Sequence, residues 1–282
     1  MRMTICATLA MTLLATSTFD QEIKDWRLAR ESSLKADDGW LTVAGLFWLH
    51  EGENAAGSDP SSSITLPRGP AHLGVFEYRG GRVTFQAAPG VDVKAPAVLK
   101  NDTENGGPDL IQTGDFTMFV IHRGSRDAIR MKDKQSEFRK GFTGLHWYPP
   151  KEKYRIAAKW VPYPEPKQMA VPNILGETEQ QPSPGYAVFK LHGQGYQVHP
   201  VLEDKQLFFI FKDQTSGKGT YPSGRFLYSD LPANGQVVLD FNKAYNPPCA
   251  FTPYATCPLP PAQNRLTARI EAGELNYGHH SQ

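Results

Sequence analysis

Two stretches in the C-terminal third of the chain carry polar side chains at spacings that chemistry uses. In the first, an apolar run ends at Asp213. Thr215, Ser216 and Tyr221 follow, and Arg225 opens the next apolar run. An acid and a guanidinium on adjacent strand ends pair and orient each other. The planar fork of arginine also suits a carboxylate or a phosphate. An ion pair that merely buttresses a hairpin is the structural alternative. In the second stretch, Asp240 and Asn242 alternate and so face one side of a strand end, with Tyr245 and Asn246 in the loop beyond.

Together these residues outline an expected pocket for a small polar ligand. Asp213, Tyr221, Arg225, Asp240 and Asn242 are its candidate catalytic set. Thr215, Ser216, Tyr245, Asn246 and His146 are its candidate ligand contacts. In a hydrolytic reading, Asp213 or Asp240 acts as general base, while Arg225 and Asn242 hold developing negative charge. The competing class is a non-enzymatic structural or interaction protein of the cell envelope, in which these groups are buried and satisfied internally. His146 stands between aromatics at the junction of two halves, where a packed, hydrogen-bonded imidazole is the plainer reading. Trp147, Tyr148, Tyr154, Trp160 and Tyr163 read as inter-domain core rather than a sugar platform.

Three cysteines occur: Cys6, Cys249 and Cys257. The first lies in a segment read as a signal peptide over residues 1–17, with Arg2, then an apolar run, then small residues for cleavage. Its removal leaves two, which in an oxidising compartment favours a disulfide. So small a ring contributes about 2.5 kcal/mol by loop entropy. Two other readings stand beside it: metal binding with His146, His192 or His199, and a cysteine nucleophile. His192 and His199 flank a glycine turn and read as exposed. The expected location is the periplasm or the exterior.

Several standard signatures are missing. There is no G-x-S-x-G, no H-E-x-x-H and no C-x-x-C, and the Thr215-Ser216-Gly217-Lys218 run lacks the glycine a phosphate loop needs. No motif calls for a cofactor or a metal. Charge is balanced, 30 Lys and Arg against 29 Asp and Glu, so no basic surface points to nucleic acid. No segment is apolar enough for a membrane span. A small-molecule ligand is the expected partner, and a protein partner is left open, with the N-terminal sandwich as its surface in the competing class.

The elements that must position these groups are mostly β. Residues 18–39 read as an N-terminal helix, with Ile23, Trp26, Leu28, Ala29 and Leu34 at near-helical spacing and Asp20 as cap. From Trp40 the period falls to two, and Gly80-Gly81 between alternating runs signals a hairpin. Residues 40–150 read as a small β-sandwich. Through its glycine placements at Gly52, Gly74 and Gly114, it weakly resembles forkhead-associated domains in fold, but lacks the arginine they use for phosphopeptides. A proline-rich connector at 160–166 leads to a second β unit, residues 151–282, expected as an antiparallel meander or barrel with a proline-rich loop.

Three blocks, WLTVAGL at 40–46, TYPSGRFL at 220–227 and DFNKAYNPPCAFTPYATCPLPPAQNRL at 240–266, resemble a bacterial family catalogued as domain of unknown function 1684. The resemblance extends over nearly the whole chain beyond the signal segment. It implies no activity, substrate or cofactor.

Overall fold

The computed structural model describes residues 18–93 and 95–278. The signal-peptide reading falls on residues 1–17, outside that set.

Helix α1 spans Phe19–Lys35. Thr18, not the expected Asp20, caps it: its backbone is extended and its hydroxyl accepts from the Gln21 amide at 3.3 Å. Asp20 is already helical and, with Glu22, sits in the first turn where the helix dipole favours negative charge. Ile23 and Leu34 are its buried contacts. The helix stops at Lys35 with Ala36 extended, and the chain folds back so closely that a Cβ on Gly39 would lie 2.3 Å from the Leu34 carbonyl oxygen, which only glycine allows.

The chain then forms β1 (Val43–Trp48), β2 (Gly52–Gly57), β3 (Ile64–Thr65), β4 (Gly74–Arg79), β5 (Arg82–Ala87) and β6 (Val98–Leu99). After these come β7 (Ile111–Thr113), β8 (Phe116–Arg123), β9 (Arg126–Asp133) and the short helix α2 (Glu137–Lys140). The remaining strands are β10 (Arg155–Pro172), β11 (Thr178–Leu191), β12 (Gln194–Val198), β13 (Val201–Glu203), β14 (Gln206–Phe211), β15 (Arg225–Asp230) and β16 (Gln236–Asp240).

Strands β1-β9-β8-β7 and β3-β2-β4-β5-β6 make two sheets. Phe76 and Val83 from one meet Met118, Val120, Ile129 and Met131 from the other in a shared core, which is the expected sandwich. Gly80 and Gly81, both at positive φ, turn β4 into β5, with Arg79 opposite Arg82.

The second half holds the sheets β12-β11-β10-β16 and β13-β14-β15, and among the described residues no sheet closes into a barrel. Strand β14 is buried on both faces, which is why its sequence reads as a continuous apolar run. Phe209 and Phe211 join the core under β10, β11 and β16. Phe208 and Ile210 point the other way, against Ala255 and Cys257 of the proline-rich loop.

The expected connector at 160–166 is instead part of β10, which pairs with β11 over Lys159–Pro162 and again over Lys167–Pro172. β16 flanks β10 only along Arg155–Lys159. Beyond it, among the described residues, no strand flanks that side until Pro172 meets Leu259, and the pairing with β11 lapses between Pro162 and Lys167, so prolines that cannot donate a ladder bond are tolerated there.

Candidate functional site

Asp213 and Arg225 do meet, at 3.4 Å, but inside the protein, with side chains 0% and 1% exposed. Asp213 accepts from the Ile270 amide at 2.7 Å and from the Thr215 hydroxyl at 2.7 Å. Arg225 donates to the carbonyls of Ala272 and Ile270. Ser216 accepts from the Asp213 amide. Burial pushes the Arg225 guanidinium down, and Asp213 pulls it back up. The geometry is a brace that holds the C-terminal segment against β14 and β15.

Asp240 and Asn242 form a separate brace. One Asp240 oxygen takes the Arg155 Nε at 2.7 Å, and the other caps Asn242 at its amide and side chain. Asn242 in turn exchanges two hydrogen bonds with the backbone of Lys151. Asn246 is fixed by Glu274, and its side chain donates to the Leu275 carbonyl. Tyr221 donates to the Cys249 carbonyl at 3.2 Å. His146 is exposed, and its carbonyl accepts from the Leu275 amide.

The expected residues thus divide among several sites in place of one pocket. His199 also departs from expectation: it is half-buried, bonded to the Tyr163 hydroxyl at 2.7 Å and stacked on Tyr186. Cys249 and Cys257 stand at disulfide distance, their Cα atoms 6.2 Å apart. Among the described residues no three His, Cys, Asp or Glu side chains gather as metal ligands, and no helix is long and apolar enough to cross a membrane.

Of the expected ligand contacts, Tyr245 lies in a real concavity. A cleft of about 920 Å³ opens between the two halves. One wall is aromatic: Phe208, Phe226 and Tyr228 on the outer face of β14 and β15, with Tyr245. Tyr228 stacks on Phe208 at 4.6 Å and lies nearly parallel to Tyr245 at 6.4 Å. Burial pushes both phenols well above their ordinary range, so they stay neutral.

The facing side carries the arginines Arg130, Arg123 and Arg30, and Asp102, Glu179 and Glu203 line the same cleft. Arg130 projects from β9 and is only 5% exposed. It lies over the Trp40 ring at 5.3 Å and donates to the Thr256 hydroxyl at 3.2 Å. Its Nε has no partner, and no carboxylate lies within ion-pair distance among the described residues. Burial first, and the Arg123 charge second, bring it down to about 10. Arg123 donates to the same Thr256 oxygen at 3.0 Å and pairs with Asp102 at 2.8 Å. Two guanidinium groups therefore converge on one neutral oxygen. Arg30 of α1 completes the lining, 4.4 Å over the Tyr245 ring and 3.7 Å from the buried Glu274.

Sequence reasoning passed over Arg130, Arg123 and Arg30. A usable signal existed for the first. Arg130 interrupts a strand whose neighbours Ile129 and Met131 fill the sandwich core while Ala128 is buried on the opposite face. An arginine on such a doubly buried strand needs a partner of its own.

Comparison with known proteins adds a family and no activity. No curated protein matches the chain. An uncharacterised protein of Haloarcula marismortui, solved by NMR, is 30% identical over 50% of this chain and 81% of its own, with a TM-score of 0.42. Residues 140–275 match a family described as protein of unknown function, DUF1684. The match takes in the aromatic wall and leaves out β8 and β9. Through those residues, the chain belongs to the DUF1684 family.

Proposed function

We propose that this is an exported protein that binds a small anionic ligand with a flat apolar part in the cleft between its two halves. The observation that carries the reading is Arg130. A buried cation without a carboxylate partner is costly, and an incoming oxyanion would supply the missing charge and hydrogen bonds. The aromatic wall opposite offers ring faces for the apolar part. The volume suits a small molecule. Export is supported by the leader-like first residues and by a cysteine pair at disulfide distance, which persists in oxidising compartments.

The test uses anilinonaphthalene sulfonate, an aromatic anion, beside neutral phenylnaphthylamine. The expected result is saturable sulfonate binding that weakens at least about tenfold in Arg130→Met, as loss of a charge-assisted hydrogen bond requires. Binding of the neutral dye should change little. A folded Arg130→Met protein that holds the sulfonate as tightly as the parent overturns the reading.

A further inference from the structure

The cleft also contains a histidine set up to accept a proton. His122 lies at the end of β8 and lines the cleft, its side chain 39% exposed. Directly across the strand pair is Asp127, 4% exposed at its side chain, whose oxygen sits 2.9 Å from His122 Nδ1. A buried carboxylate on Nδ1 fixes the tautomer that carries its hydrogen there, and leaves Nε2 as the acceptor. No hydrogen bond engages Nε2 among the described residues. Burial first, and the nearby Asp127 carboxylate second, push the Tyr78 phenol up. The His122 amide donates to Asp102 at 2.9 Å, the same carboxylate that holds Arg123 at 2.8 Å. One aspartate thus fixes the base and a guanidinium next to each other. Base, orienting acid, cationic donors and a cavity are the parts a hydrolytic site needs.

We infer that His122, oriented by Asp127, is the general base of an esterase activity in this cleft, acting on esters of small acids that carry a second, anionic group. The inference rests on the anion-binding reading above. The free anionic group of the substrate meets Arg130, and the ester carbonyl lies toward Arg123. His122 Nε2 takes a proton from water as the water oxygen bonds to the carbonyl carbon. The carbonyl π electrons move onto its oxygen, where the Arg123 charge stabilises the oxyanion. Collapse re-forms the carbonyl and breaks the bond to the alkoxy oxygen. That leaving oxygen takes the proton back from His122. One ester and one water give one acid and one alcohol, with the base restored.

The experiment uses para-nitrophenyl hydrogen succinate, with neutral para-nitrophenyl acetate as control, and the sulfonate dye as an independent measure of binding. The full chain should release nitrophenol from the succinate, and faster than from the acetate. His122→Ala should lower kcat by at least about 100-fold. Asp127→Asn should lower kcat with KM nearly unchanged, as expected of a positioning residue. His122→Ala should keep the dye affinity of the parent within about threefold. If the parent binds the dye but releases no nitrophenol above the buffer rate, the esterase inference falls while the binding reading stands. The same holds if His122→Ala turns over within about threefold of the parent. If the parent does not bind the dye, both fall. Because His122 is well exposed, its variant remains informative even if Asp127→Asn does not fold.

Discussion

Arg225 and Asp213 face each other across 3.4 Å in the interior, and each also holds the backbone of the segment around Ile270. The pair joins the end of β14, the start of β15 and the C-terminal segment at one point. Removing one member of a buried pair strands the other charge, at a cost of about 3–5 kcal/mol. Arg225→Met should therefore lower urea stability by that order, and pairing it with Asp213→Leu should recover part of the loss. A single-variant loss below about 1 kcal/mol would refute the brace.

Glu274 titrates in the wrong direction for a surface acid. Burial pushes it up from its ordinary 4.5 to about 7, against the pull of Arg30 and the Asn246 amide. Between those values the folded chain keeps a proton that the unfolded chain has released. This group's contribution is therefore full below about pH 4.5 and is lost as pH rises through about 7. Its size is of order 3 kcal/mol. Glu274→Gln should remove that component, visible as the difference between the two proteins' denaturation curves at pH 5 and pH 8.

At α1 the burial of Leu34 outweighs the ion pairs of Glu22. Leu34 is 1% exposed, whereas Glu22 makes half-exposed pairs with Arg155 and Lys243. Leu34→Ala should cost about 2–5 kcal/mol. Glu22→Gln should cost less than about 1 kcal/mol. Thermal denaturation of the two variants tests the ranking, and a reversed order would refute it.

The cysteine pair predicts no free thiol from Cys249 or Cys257 in oxidised protein, counted with a chromogenic thiol reagent after unfolding. Replacing both with serine should lower stability by about 2.5 kcal/mol. Two reactive thiols in protein purified under oxidising conditions would contradict it.

Much of the architecture was legible because strands announce themselves by alternation. The hairpin signalled by Gly80-Gly81 is the turn between β4 and β5, and the period-two reading from Trp40 onward is met by the strands that follow it. The limits were physical. A run of prolines reads as a linker, yet Pro162, Pro164 and Pro166 sit in β10 because β16 has already ended and the pairing with β11 lapses between Pro162 and Lys167. The site was less legible. Polar crowding near Asp213 and Asp240 is real, but local density does not say whether a group faces a cavity or another part of the same chain. The cleft joins β8 and β9 to a loop more than a hundred residues later, and no spacing along the sequence encodes that meeting of Arg130 with Thr256.

The two walls of the cleft fall on either side of the boundary of the family match. The aromatic face lies within residues 140–275, whereas the arginines and the histidine opposite lie upstream of them. The family match therefore holds the aromatic wall of the cleft and none of its arginines. Under the anion binding proposed above, exchanging the upstream strands for those of a relative should alter charge selectivity while leaving the stacking surface intact.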